Sequence, residues 1–142
     1  MIYSLTYISK SRLAKDDAQS MVDSIVQKSR ENNRLHGLTG ALIFTGHDFA
    51  QTLEGERCHI ETLMARISED DRHDDIRVIH EGDQWSRDFA SWSMAYRGMT
   101  TFVQRHIDAA RPVSADVPPD DVAVLELRSL LSAFAADSGR HA

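Results

Sequence analysis

Thr39-Gly40-Ala41-Leu42-Ile43-Phe44-Thr45-Gly46-His47-Asp48-Phe49-Ala50-Gln51-Thr52-Leu53-Glu54-Gly55 is the stretch that decides the fold. Residues 39–45 read as a strand, with Leu42 and Phe44 on one face and Ala41 and Ile43 on the other. Gly46-His47 supplies a two-residue hairpin turn, with glycine first as a type II′ turn requires. The chain returns through Phe49 to Glu54, where Phe49, Gln51 and Leu53 share a face, and Gly55 ends the strand. Working outward, a helix precedes the hairpin and another follows it. The first is capped by Asp16 or Asp17, runs to about Asn32 and is closed by Gly37. Its stripe is Val22, Ile25 and Val26, followed by Ser29, Asn32 and Asn33. The second spans about residues 56–69 with the stripe Ile60, Leu63, Met64 and Ile67.

Beyond the helices lie more strands. Residues 2–8 alternate, and both faces carry apolar side chains, which predicts an interior strand covered on two sides. A charged loop at 69–75 leads into a strand at about 76–81, where Ile76, Val78 and His80 alternate with Arg77, Ile79 and Glu81. Trp92, Met94 and Tyr96 share one face of a short fifth strand. The order β-α-β-β-α-β-β predicts an α+β protein of the ferredoxin-like type, with right-handed crossovers placing both helices on one sheet face. The first and third strands then form the central pair.

The opposite face, with Ile2, Ile8, Ala41 and Ile43, needs a cover. A C-terminal helical extension can provide it: residues 100–110 and 119–136 read as helices joined by a linker with three prolines, Pro119 falling near N1. The expected division is a domain at 1–98 and the extension at 99–142.

Composition narrows the class. The 142 residues carry 16 basic and 22 acidic side chains, a net charge of −6, which disfavours nucleic acid as a partner. Cys58 is the single cysteine, so no internal disulfide or multi-cysteine zinc site forms, in keeping with a reducing cytoplasm. No run approaches 18 apolar residues and no signal peptide opens the chain, so no membrane association is expected.

The pattern breaks in three places. Ser29, Asn32 and Asn33 sit where the first helix should be apolar; Gln51 sits between Phe49 and Leu53; Tyr7 lies on the Tyr3/Leu5 face. Taken singly, each has a plain structural reading: a packed phenol, a helix end, an edge position. Together they point into one space between sheet and helices, a polar planar slot whose carboxamides need partners.

At this point the residues resemble the BLUF family, the sensors of blue light using FAD. The resemblance rests on Leu5-Thr6-Tyr7-Ile8-Ser9, Asn32-Asn33, Gly37 to Leu42, Phe49 to Gly55, Asp71-Arg72-His73, and Arg87 to Met94, over about residues 1–98. It implies an isoalloxazine held between the two helices, from FAD or from FMN or riboflavin in its place. It also implies roles. Tyr7 matches the photoactive electron donor, and Gln51 the glutamine between that tyrosine and the flavin. Asn33 and Asn32 match the positions at the pyrimidine end of the ring. Arg72 and His73 match the loop flanking the cofactor, and Ser29 joins this binding set. Trp92 and Met94 match the fifth-strand pair, and the residues leave open which of them faces the ring. Ile8 stands where the family often has arginine.

The function this implies is a non-enzymatic blue-light photoreceptor. Electron and proton transfer from Tyr7 through Gln51 rearranges hydrogen bonds, and an effector or regulatory protein receives the signal in trans. Homo-oligomers, dimers or larger, are expected. The alternative is a chromophore-free ferredoxin-like ligand-binding or interaction module. A weaker third reading is an acylphosphatase-like hydrolase, for which Ser9-Lys10-Ser11-Arg12 mimics the phosphate loop only loosely. Among other chemistry, His73 within the acidic loop reads as a solvated face rather than a metal site, and Cys58 has no matched base.

Overall fold

The computed structural model describes residues 1–98 and 101–138. The expected start of the first terminal helix at Thr100 and the last residues of the extension lie outside them. In chain order the elements are β1 (Ile2–Ser11), α1 (Ala18–His36), β2 (Thr39–Phe44), β3 (Asp48–Gly55), α2 (Arg57–Glu69), β4 (His73–Gln84), β5 (Ala95–Gly98), α3 (Gln104–Ala110) and α4 (Asp121–Ser138). The sheet order is β4-β1-β3-β2-β5. Neighbours are antiparallel except β5, which runs parallel to β2. This is the α+β ferredoxin-like arrangement with β1 and β3 at its centre.

The central position of β1 follows from its composition: every residue from Tyr3 to Ser9 is buried. Tyr3, Leu5 and Tyr7 join Leu42, Phe44, Phe49 and Leu53 under Val22 and Val26 of α1 and Ile60 of α2. Ile8, Ala41, Ile43 and Ala50 face the other way, against Val103, Ile107, Leu127 and Leu131. Leu127 and Leu131 of α4 are fully buried there, a contribution of about 1.5–3 kcal/mol each.

Several boundaries differ from the sequence reading. α1 runs one turn past Asn32, to His36, before Gly37 stops it in the left-handed region at φ 67°. Leu38 N–H then donates to Asn33 O at 2.8 Å. Asp17 occupies the N-cap position without a side-chain capping bond. β1 extends past residue 8 to Ser11, and β4 begins at His73 rather than at about residue 76, inside the expected charged loop at 69–75. The reason is β1–β4 pairing, which reaches Ser11 opposite His73. Its register shifts twice, between Thr6 and Tyr7 and between Ile8 and Lys10, and Asp75 has φ 49°. Such irregularities break the period-two pattern that marks a strand in sequence. β5 starts at Ala95, so Trp92 and Met94 precede it. α4 starts at Asp121 rather than at Pro119. The Asp120 side chain caps it, accepting from Val122 N–H at 2.9 Å and Ala123 N–H at 3.3 Å.

Candidate functional site

β1 and β3 bring the two key side chains together through register alone, because Tyr7 and Gln51 are direct cross-strand partners. On its other side Gln51 pairs with Leu42 of β2. Both polar groups therefore point at the helices, inside an apolar core, where an unpaired amide would be costly. The Tyr7 hydroxyl donates to Gln51 Oε1. The Gln51 amide then donates from Nε2 to Met94 Sδ at 3.7 Å, a weak acceptor. Burial pushes the Tyr7 phenol's pKa well above its ordinary value of 10.0, and the negative charge of Asp70 adds to the shift.

These groups form one wall of a cavity of about 240 Å³ between α1 and α2. Leu42 and Phe49 complete the sheet side. Ser29, Asn32 and Asn33 line it from α1, while Leu63 and Ile67 line it from α2. Ser29 and Asn33 are four apart, so they sit one above the other on the helix. Asn33 is fully buried; its Nδ2 donates to Ser93 O at 2.7 Å, but its Oδ1 has no hydrogen-bond partner. A buried acceptor left open on a cavity wall suits a ligand that brings an N–H. Polar edge, apolar walls and open acceptor fit a planar heteroaromatic ring.

Arg72 and His73 also line the cavity. Arg72 is held by Asp70, with Nε 2.8 Å from Oδ1, and this bond keeps the Asp70 carboxyl below the usual carboxylate range. Both His73 ring nitrogens are engaged, Nδ1 with Ser9 Oγ at 2.7 Å and Nε2 with Ile67 O at 2.8 Å.

Of the nine residues singled out, the structure gathers Tyr7, Gln51, Ser29, Asn32, Asn33, Arg72 and His73 around the cavity, with Met94 on the Gln51 amide. Trp92 is the exception and requires a correction. It packs against the core under α3 and α4, on the opposite side of the sheet. Residues 91–94 are not strand, so alternation does not put Trp92 and Met94 on one face. Lys28, Arg66 and Asp70 also line the cavity and were missed. Lys28 was findable, lying one helical turn before Asn32; Arg66 and Asp70 carry no such signal.

Comparison with known proteins gives the family. The family model for BLUF, sensors of blue-light using FAD, matches residues 2–95. The chain belongs to the BLUF family. Its first 30%-identical curated relative is the photoactivated adenylate cyclase subunit beta of Euglena gracilis, aligned over 91 residues, 63% of this chain and 10% of that protein. The match thus spans a small part of the curated relative's length. The dark-state structure of BlrB, a BLUF protein, superposes with a TM-score of 0.75 at 29% identity, covering 96% of each chain. The photo-activated state of BlsA gives 0.77 at 24% identity, covering 93% of this chain and 95% of that one, a likeness of fold. Among the described residues no helix is long and apolar enough to cross a membrane.

Proposed function

We propose that this chain is a blue-light photoreceptor that holds FAD non-covalently between α1 and α2 and signals to a partner protein in trans. The observation that carries the reading is the buried relay from the Tyr7 hydroxyl to Gln51 Oε1 and from Gln51 Nε2 to Met94 Sδ. Asn33, Asn32 and Ser29 are the residues to hold the polar edge of the ring, Phe49 and Leu42 to pack on it, and Arg72 and His73 to flank it. When bound, the flavin supplies blue absorption and an excited state that accepts an electron.

The chain's own residues account for the rest. Burial disfavours the Tyr7 phenolate, so Tyr7 gives up an electron only as its proton leaves. Gln51 Oε1 is positioned to take that proton. A carboxamide has an acceptor end and a donor end, so Gln51 can relay the proton and return it with its ends exchanged. Met94 Sδ, against the donor end, then meets a different group. The displaced contact reaches β5 and, across β2, the α4 cover. We assign residues 1–98 to sensing and the C-terminal extension to output, in an assembly of two or more copies.

Absorption spectra of the purified protein before and after blue illumination test this. The expected result is a structured flavin band that moves slightly to the red and recovers in the dark. Tyr7→Phe and Gln51→Leu should retain flavin and lose the shift. A colourless protein that also fails to take up added FAD overturns the reading.

A further inference from the structure

We propose that Arg30, on α1 and outside the cavity wall, is a positioning residue that sets Met94 against the Gln51 amide. The segment between β4 and β5 has no regular secondary structure from Trp85 to Met94, so point contacts decide where it lies. Asp88, Phe89 and Trp92 are tied to the sheet. Glu54 accepts from Asp88 N–H at 2.6 Å and Phe89 N–H at 2.9 Å. Gly40 N–H donates to Trp92 O at 3.2 Å. Past Trp92 the anchors change to side chains of α1. Asn33 Nδ2 donates to Ser93 O at 2.7 Å, and Arg30 Nε donates to Met94 O at 3.0 Å.

Arg30 and Asn33 are three residues apart, hence on one face of the helix, and grip consecutive carbonyls. Arg30 makes no ion pair among the described residues, so the Met94 carbonyl is the acceptor for its Nε–H. A guanidinium donor gives a charge-assisted bond of fixed direction. The need for it lies in the side chain: methionine has three rotatable bonds and wanders unless its backbone is fixed.

The consequence rests on the light-sensing reading. If Gln51 exchanges its amide ends, the sulfur 3.7 Å from Nε2 must give way. With the Met94 carbonyl gripped, that movement adds to the barrier in both directions. Releasing the grip lowers the barrier, and the lit state decays faster.

The test uses the full chain with its flavin, as Arg30→Met, which keeps bulk without a donor, and Arg30→Lys, which keeps a cationic donor. Two readouts are taken. In the dark, the ¹³C-methyl signal of Met94 should shift or broaden in Arg30→Met and return towards wild type in Arg30→Lys. After blue light, recovery should be at least threefold faster in Arg30→Met, with the size of the red shift kept, and be restored in Arg30→Lys. A Met94 signal unmoved by Arg30→Met overturns the proposal, as does recovery that is unchanged or slower. A melting temperature lowered with both readouts at wild type assigns Arg30 a structural role and overturns it too. Wild-type protein that binds flavin but never shifts in light defeats the photoreceptor reading, while the dark methyl signal still decides whether Arg30 holds Met94.

Discussion

Replacing Glu54 by leucine should unlatch the β4–β5 connector. Glu54 has 0% exposure, yet its two carboxyl oxygens take four donors. Thr39 Oγ1 at 3.0 Å and Phe89 N–H at 2.9 Å go to Oε1; Gln84 Nε2 at 2.9 Å and Asp88 N–H at 2.6 Å go to Oε2. In Glu54→Leu the Thr39 hydroxyl rotates and the Gln84 amide turns to water. The buried Phe89 N–H has no such escape, while the Asp88 N–H, on an exposed residue, is half-covered. A buried donor left without an acceptor costs about 1–3 kcal/mol and the half-covered one less, about 2–4 together. That is a large share of the roughly 5–15 that hold a domain together. With a slope of about 2 kcal/mol per molar, the urea midpoint falls by about 1–2 M. Glu54→Gln keeps the shape and one acceptor oxygen, and should lose about half as much. Urea unfolding followed by circular dichroism measures both. A leucine variant whose midpoint lies within about 0.5 M of wild type refutes the reasoning, since it would mean the connector's N–H groups find other partners at no cost.

Two further outcomes follow from the geometry. A Cβ on Gly40 would lie 2.0 Å from the main-chain oxygen of Thr52, so Gly40→Ala forces β2 off β3 beside Gln51; calorimetry should show a loss of about 3 kcal/mol or more, and a well-folded variant at wild-type stability contradicts the packing. His80 has its pKa lowered from 6.5 by burial first and by the charge of Arg128 second. Below pH 6.5 the unfolded chain takes up a proton that the native histidine resists, so stability is present above that pH and lost as pH falls through the lower native value. Stability measured from pH 8 down to pH 5 should decline less in His80→Gln than in wild type, and parallel curves would rule out His80 as the cause.

Much of this was legible in the residues because three signals agreed. The Gly46-His47 turn, the two stripes ending in Val26 and Ile67, and the two-sided β1 left one topology consistent with all of them. The site was legible for a related reason: Tyr7, Gln51 and Asn33 are costly where they stand, and cross-strand register placed the first two side by side. What escaped reading was governed by tertiary contact. The full length of β4 depends on pairing with Lys10 and Ser11, and its shifted register hides the alternation. Trp92 was misplaced because residues 91–94 follow the grips of Gly40, Asn33 and Arg30 rather than a strand's pleat. The Asp120 cap was passed over because Pro119 offered a stronger signal for the same helix end.

The two faces of the sheet have an evolutionary consequence. No buried side chain of the described residues belongs to both cores: Tyr7, Leu42 and Phe49 serve one, Ile8, Ile43 and Ala50 the other. Substitutions at Val22 or Ile60, on the helices of one core, share no core partner with those at Leu127 or Leu131 and are thus nearly additive with them. Drift beneath α3 and α4 can reshape that face while leaving the cavity between α1 and α2 alone. Selection can tune the two independently, with the Phe89–Met94 segment as the stretch where a change is felt on both sides.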